Sequence, residues 1–191
     1  MDYLILVDRF NPLPNGFENN IQFTEIGGKL FEKQAGERLA ILMKDAENDG
    51  LPLSIISGYR CEEYQQMLWE RSISTLMWSG LSFDEAMEET AKTLALPRSS
   101  EHNTGLAVDF GCIGDDDVSD DFYRTGQSKW LSKNASRYGF ILRYPRLKEH
   151  ITGISFEPWH YRYVGTESAE IINKSGICLE EFLHFYSEKY I

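Results

Sequence analysis

Two short stretches of the 191-residue chain hold the residues best suited to chemistry. One is Ser99-Ser100-Glu101-His102-Asn103-Thr104-Gly105-Leu106-Ala107-Val108-Asp109, and the other is Glu157-Pro158-Trp159-His160. They contain two of the chain's four histidines. Catalytic zinc usually takes three protein ligands and keeps a fourth position open. His102, Asp109 and His160 supply three, since imidazole and carboxylate are both good zinc ligands, and Glu157 adds a second carboxylate. Zinc lowers the pKa of its water to roughly 7. A carboxylate beside it can take the proton as hydroxide attacks a carbonyl, then return it to the leaving amine. One glutamate thus covers both proton transfers of amide hydrolysis. The oxyanion that forms needs a cation, and Arg60 is the candidate, where Ser57-Gly58-Tyr59 opens a strand into a loop. Each residue alone has a plainer reading. A lone histidine is more often a surface or core residue, Asp109 caps a turn, Glu157 is a surface charge, and Arg60 pairs with Glu62 or Glu63 on a helix surface.

The elements that must position these groups follow from periodicity and turn signals. Residues 1–10 read as a short strand ended by Asn11–Gly16. Helical spacing runs from about Lys29 to Asn48, closed by Gly50. Leu53–Arg60 reads as a buried strand entering a loop, followed by a helix from Glu62 to about Leu76. Ser82 and Glu85 form a capping box for a helix to about Leu94, which Pro97 stops. Leu106–Phe110 is a predicted strand ended by Gly111, and a helix is expected from about Ser128 to Tyr138. Phe140–Tyr144 and Ile154–Phe156 read as strands, the second continuing to Val164. A last helix runs from about Leu179 to Lys189. Helices first and then strands on short links predict α+β with an antiparallel sheet, in one domain spanning 1–191. No internal repeat, low-complexity segment, GxGxxG pattern or P-loop occurs. Glu157 and His160 lie three apart, so on a flat strand they face opposite ways. A bulge or edge position at Pro158 is the expected remedy.

Composition narrows the classes. The formal net charge of -11, from 30 acidic and 19 basic residues, repels phosphate backbones and excludes nucleic acid as partner. The acidic run Gly114–Asp121 reads as an exposed loop and lacks the spacing of a calcium loop. Three cysteines without a CxxC pair fit a reducing compartment. The start lacks a signal-peptide pattern, and no apolar run approaches the ~18 residues of a membrane span. With Met1 as the native start, a cytoplasmic protein without a membrane anchor is expected.

The pattern Ser100-x-His102-x-x-Gly105-x-Ala107-x-Asp109, preceded by Ser57-Gly58-Tyr59-Arg60 and followed by Glu157-x-x-His160, resembles the D-alanyl-D-alanine carboxypeptidase family. These zinc peptidases include the VanX and VanY types of vancomycin resistance. The resemblance runs from about Leu53 to Gly165. Tyr138–Pro145 and Ile151–Gly165 are similar to the VanXY type, which combines D,D-dipeptidase and D,D-carboxypeptidase activity in the cytoplasm. It implies one zinc ion held by His102, Asp109 and His160. Glu157 is then the general acid/base, and Arg60 steadies the oxyanion or scissile carbonyl. Ser100 and Gln65 fall where relatives place polar groups near substrate. The implied fold is a small antiparallel sheet flanked by helices, of the D-Ala-D-Ala peptidase/hedgehog-like kind. The implied substrates are the D-Ala-D-Ala dipeptide or a peptidoglycan precursor ending in it. Relatives with this zinc set also include L,D-carboxypeptidases and phage endolysins that cut L-Ala-D-Glu. Some proteins of this fold are zinc-stabilised binding modules, against which Glu157 argues. Ser72–Leu96 reads as a lid or cleft wall. One of Asp115, Asp116, Asp117, Asp120 and Asp121 is a candidate for a substrate ammonium.

Overall fold

A computed structural model describes residues 1–115 and 117–187. Its first sheet is a hairpin of β1 (Phe23–Ile26) and β2 (Lys29–Glu32), with Ile26 opposite Lys29. Gly27 and Gly28 between them have φ of 58° and 77°, the two positive values that a two-residue hairpin turn demands. The helix expected from Lys29 therefore begins later, as α1 (Lys33–Asn48). The Glu32 carboxylate caps it by accepting a hydrogen bond from the Ala35 amide at 3.0 Å. Its buried residues Ala35, Leu39, Leu42 and Ala46 recur every three or four positions and face the core.

The main sheet has β3 (Leu53–Ser57), β4 (Ala107–Cys112), β6 (His160–Tyr163) and β5 (Phe140–Leu142), in that spatial order and antiparallel throughout. Side chains alternate across a strand. Val108, Phe110, Tyr161 and Tyr163 therefore share one face and join Leu39, Leu42 and Ala46 of α1 in the principal core. Asp109, His160 and Arg162 are left for the other face. The fold is α+β, as expected.

Helices α2 (Glu62–Trp78) and α3 (Phe83–Thr90) form a hairpin with its own cluster of Trp69, Ile73 and Ala86, onto which Leu76, Leu81 and Leu94 pack. The capping box at Ser82 and Glu85 is present in both directions. After β4 come α4 (Gly126–Asn134), which continues as a 3-10 turn over Ala135–Tyr138, and the short α5 (Glu149–Thr152). After β6 come α6 (Thr166–Ser175), which periodicity did not reveal, and α7 (Leu179–Ser187). The expected end of the last helix at Lys189 lies outside the described residues.

Two expected strands are absent. Residues 1–10 form no ladder. The carbonyls of Tyr3 and Ile5 instead accept hydrogen bonds from Arg162 Nη2, at 3.1 and 2.9 Å. Residues 154–156 are likewise irregular, because the Ser155 amide is bound to the Lys92 carbonyl at 2.8 Å.

Gly105 joins the hairpin to the main sheet. Its φ is 72°, its carbonyl accepts from the Glu32 amide at 2.9 Å, and an added Cβ would sit 2.7 Å from that same nitrogen. Gly105→Ala is therefore expected to lower the unfolding free energy by about 1–3 kcal/mol. Urea denaturation followed by tryptophan fluorescence measures this, and an unchanged midpoint would contradict the account.

Candidate metal centre and active site

Register places the central pair. Asp109 of β4 lies directly opposite His160 of β6 on one side and Ser57 of β3 on the other. His102 comes from a 3-10 turn, Glu101–Thr104, which Gly105 terminates just before β4. Asp109 Oδ1 lies 2.9 Å from His160 Nδ1, and Asp109 Oδ2 lies 3.2 Å from His102 Nε2. The ligand atoms of His102, Asp109 and His160 lie within 4.8 Å of one another, and all three residues are buried. No other such trio occurs among the described residues.

Hydrogen bonds orient both rings. His102 Nδ1 is 2.7 Å from the Gly58 carbonyl, which can only accept, so Nδ1 carries the proton and Nε2 turns inward. His160 is reversed, with Nδ1 inward and Nε2 lying 3.4 Å from Glu101 Oε2. Two imidazoles and a carboxylate, converging in a buried pocket with outer hydrogen bonds on both rings, fit a zinc ion by donor type and by support.

Electrostatics follow from burial and partners. Burial alone would raise the Asp109 carboxyl, but His102 and His160 outweigh it and hold it well below the usual range. Burial pushes His102 down, and the Arg60 cation adds to this. Burial also opposes a charge on His160, but hydrogen bonds to Asp109 and Glu101 push it up to about 9.

Glu157 reaches the same pocket, by a different device from the expected bulge. The His160 amide donates to the Glu157 carbonyl at 3.2 Å, closing a tight turn with Pro158 and Trp159 at its centre. Proline suits the first central position of such a turn. Glu157 thus precedes the strand, and its Oε2 lies 3.7 Å from His160 Nδ1. β6 starts at His160 and is a central strand, so Pro158 has no ladder bond to lose. Burial pushes the Glu157 carboxyl up to about 8, helped by Asp109 and opposed by His160.

Arg60 does not pair with Glu62 or Glu63. Its Nε donates to Ser57 Oγ and its Nη2 to Asp109 Oδ2, both at 2.9 Å. Its backbone is tied to the His102 loop: the Arg60 amide donates to the His102 carbonyl, and Asn103 Nδ2 donates to the Arg60 carbonyl. Gln65 stands behind it, fully buried, with Oε1 3.5 Å from Arg60 Nη1 and Nε2 donating to the Ala95 carbonyl. Ser100 lines the cleft over these groups; Gln65 does not.

That cleft measures about 620 Å³. Tyr144 and Trp159 form part of its lining, and Ser72, Thr93, Leu94 and Ala95 make a wall of the segment 72–96. Of the candidate aspartates, Asp117 lines the cleft, while Asp115 accepts from the Cys112 amide at 2.7 Å. Asp120 and Asp121 are exposed on a 3-10 turn, and Asp116 lies outside the described residues. No helix among the described residues is long and apolar enough to cross a membrane.

Glu101 was missed in the sequence. It is buried, and its Oε1 accepts from Arg143 Nε at 2.7 Å and Arg162 Nη1 at 2.8 Å. Burial would raise this carboxyl, but the two arginines, with His160, hold it far below the usual range. The available signal was Arg143 and Arg162, each among apolar and aromatic residues of a strand-like run. A buried arginine needs a buried carboxylate, and Glu101 is the acid beside His102.

The Glu157 pKa gives a stability slope for the metal-stripped protein. The fold keeps this proton up to about pH 8, whereas the ordinary value is 4.5. The native state then binds more protons than the unfolded chain across that window, so stability falls as pH rises through it. His160 adds a slope of the same sign above its ordinary value of 6.5, and His102, pushed down by burial, adds one of opposite sign below it, so the difference between the unaltered protein and Glu157→Gln is what isolates Glu157. Urea midpoints at several pH values, with chelator present, should fall less steeply for Glu157→Gln than for the unaltered protein. Parallel slopes below pH 6.5 would contradict the assignment.

Known proteins resemble this chain in sequence and in fold. Residues 28–166 match the family described as VanY, D-alanyl-D-alanine carboxypeptidase. A D-alanyl-D-alanine carboxypeptidase of Enterococcus faecalis is 39% identical over 181 residues, covering 95% of this chain; the chain spans 65% of that relative's length. The bifunctional D-Ala-D-Ala dipeptidase and D-Ala-D-Ala carboxypeptidase VanXYC of Enterococcus gallinarum is 37% identical, covering 71% of this chain and 68% of the relative. Among solved structures, a mutant of the D,D-pentapeptidase VanY from a VanB-type resistance cassette, in complex with Zn(II), superposes with a TM-score of 0.85 at 36% identity, covering 96% and 99% of the two chains. VanYB in complex with D-alanine-D-alanine gives 0.85 at 38%, covering 95% and 97%. The LdcB LD-carboxypeptidase gives 0.79 at 31%, covering 94% and 84%. With most of its length matched by the family and its fold shared with solved members, the chain belongs to the VanY family of D-alanyl-D-alanine carboxypeptidases.

Proposed function

We propose that this chain is a zinc-dependent D,D-peptidase that releases D-alanine from D-Ala-D-Ala ends, of the free dipeptide, a peptidoglycan-precursor pentapeptide, or both. The observation that carries the reading is the convergence of His102, Asp109 and His160, with Glu157 beside them, in one 620 Å³ cleft of a VanY-family chain. The neighbours in complex with Zn(II) and with D-alanine-D-alanine support the metal and the substrate. His102 Nε2, an Asp109 oxygen and His160 Nδ1 would hold one ion. When bound, zinc supplies Lewis acidity that polarises a carbonyl and acidifies water. Glu157 takes a proton from the attacking water on its carboxylate and gives it to the departing amine of D-alanine. Its raised pKa suits a group that must accept and return a proton near neutrality. Arg60, kept extended along Asp109 by Ser57 and Gln65, offers a cation to negative charge developing on the scissile carbonyl oxygen. Ser100 lies against the substrate, and Gln65 serves by holding Arg60. Residues 1–191 act as one domain. The three free thiols support a reducing, cytoplasmic setting. Removing the D-Ala terminus would deny vancomycin its target.

A second reading, L,D-carboxypeptidase, is favoured by the similarity to LdcB. Assays of D-alanine release separate the two. Purified zinc-loaded protein should release D-alanine from D-Ala-D-Ala, the pentapeptide or both, and faster than from the corresponding tetrapeptide. Preference for the tetrapeptide would transfer the assignment to the L,D class, and no release from any of them would sink both. Glu157→Ala should lower kcat at least about 100-fold with zinc retained, whereas His160→Ala should lose the metal, measured by atomic absorption after dialysis.

A further inference from the structure

The cluster around Glu101 is absorbed by no step of that chemistry. Glu101, Arg143 and Arg162 are buried with side chains 0–1% exposed. Both arginines converge on one oxygen, Oε1. That leaves Oε2 directed to His160 Nε2. The arginines do not end there. Arg143 makes a two-pronged contact with Glu180 of α7, at 3.0 and 2.7 Å. Arg162 sends Nη2 to the carbonyls of Tyr3 and Ile5 and Nε to the carbonyl of Tyr163. Two carboxylates and two guanidiniums sum to zero charge, and each side-chain nitrogen of both arginines donates at least one hydrogen bond.

We propose that Glu101 is a positioning residue that fixes the His160 ring, holding the proton on Nε2 so that Nδ1 is presented beside His102 and Asp109. The inference rests on the reading of His160 as a zinc ligand and deepens it. An imidazole has two nitrogens and free rotation about its χ angles; one outer hydrogen bond to a carboxylate selects both the nitrogen and the rotamer. Gly58 performs this service for His102 with a neutral carbonyl. Glu101 performs it with an anion, which also makes the inward Nδ1 a stronger donor. Because Oε1 is pinned by two arginines, the carboxylate cannot swing away from the ring. Through those arginines, the orientation of His160 depends on the seating of α7 and of the segment Tyr3–Ile5, the two ends of the described chain.

Two measurements test this. Glu101→Gln keeps the shape and removes the charge, and should weaken zinc binding by about 10- to 100-fold in competition with a chromophoric chelator. A purely architectural Glu101 would lower the urea midpoint yet leave zinc affinity of the folded protein unchanged, and that result overturns the proposal. The second measurement needs no altered Glu101. In zinc-loaded protein with 15N-histidine, long-range 1H–15N spectra resolve the four imidazoles, with His150→Gln and His184→Gln removing the signals of the two outside the trio, so that one ring bound through Nδ1 and one through Nε2 are expected to remain. His160 should carry its proton on Nε2 and show a metal-bound Nδ1, and His102 the reverse. A His160 bound through Nε2 overturns the proposal even if Glu101→Gln fails to fold. Absence of zinc binding by the unaltered protein would instead defeat the metal centre itself. Tight zinc binding that depends on His160 but not on Glu101 would defeat this inference alone.

Discussion

The antiparallel register that sets Asp109 opposite His160 is the constraint on which the rest of the molecule depends. In a strand, a shift by one residue exchanges the two faces. Here such a slip would turn Val108 and Tyr161 toward the cleft and drive Asp109 and His160 into the face packed on α1. The hydrophobic demand of the core thus fixes the chemistry on the opposite face. The β3–β4 pairing extends this, because Ser57 opposite Asp109 sets where the chain leaves the sheet and hence where Arg60 returns. One residue, Asp109, is the meeting point of both pairings and of three side-chain contacts.

Burying this many charges is unfavourable unless each is answered. Around Asp109 the answer is two imidazoles and Arg60; around Glu101 it is Arg143 and Arg162, with Glu180 answering Arg143 in turn. No buried side-chain nitrogen or oxygen among the described residues lacks a partner. Glu157 is the exception in kind. It is buried without a dedicated cation, and its carboxyl answers by holding its proton to about pH 8. The contrast between three carboxyl groups in one pocket, two held far below the usual range and one pushed up to about 8, comes from their partners rather than their depth.

Much of this was legible in the sequence, for identifiable reasons. His102, Asp109, Glu157 and His160 are chemically conspicuous, and strong apolar runs at 53–57 and 107–110 gave the strands that carry them. The capping box at Ser82 is a purely local signal, so it was readable. What escaped was decided by distant partners. Tyr3–Val7 has a strand-like composition, but a guanidinium from β6 takes its carbonyls. Lys29–Glu32 continues the helical spacing of α1, yet the turn at Gly27 and Gly28 commits it to a hairpin. Glu157 and His160 seemed to need a bulge because the strand was drawn too early; a turn at Pro158 solves the geometry with no distortion of the sheet. Glu101 was hidden by its own neighbour, being adjacent to a more conspicuous histidine.

The α2–α3 hairpin packs around Trp69, Ile73 and Ala86, a cluster separate from the one beneath the main sheet. The cleft therefore has a floor and a wall built on separate apolar clusters. A local opening of the wall disturbs Trp69, Ile73 and Ala86, with Gln65 and Thr90 of the same helices, and leaves Leu39, Val108 and Tyr161 in place. The same separation makes the wall a module in the evolutionary sense. Replacements along residues 72–96 can reshape what the cleft admits without touching the strand register that builds the metal centre, so substrate range and hydrolytic chemistry can diverge independently within one fold.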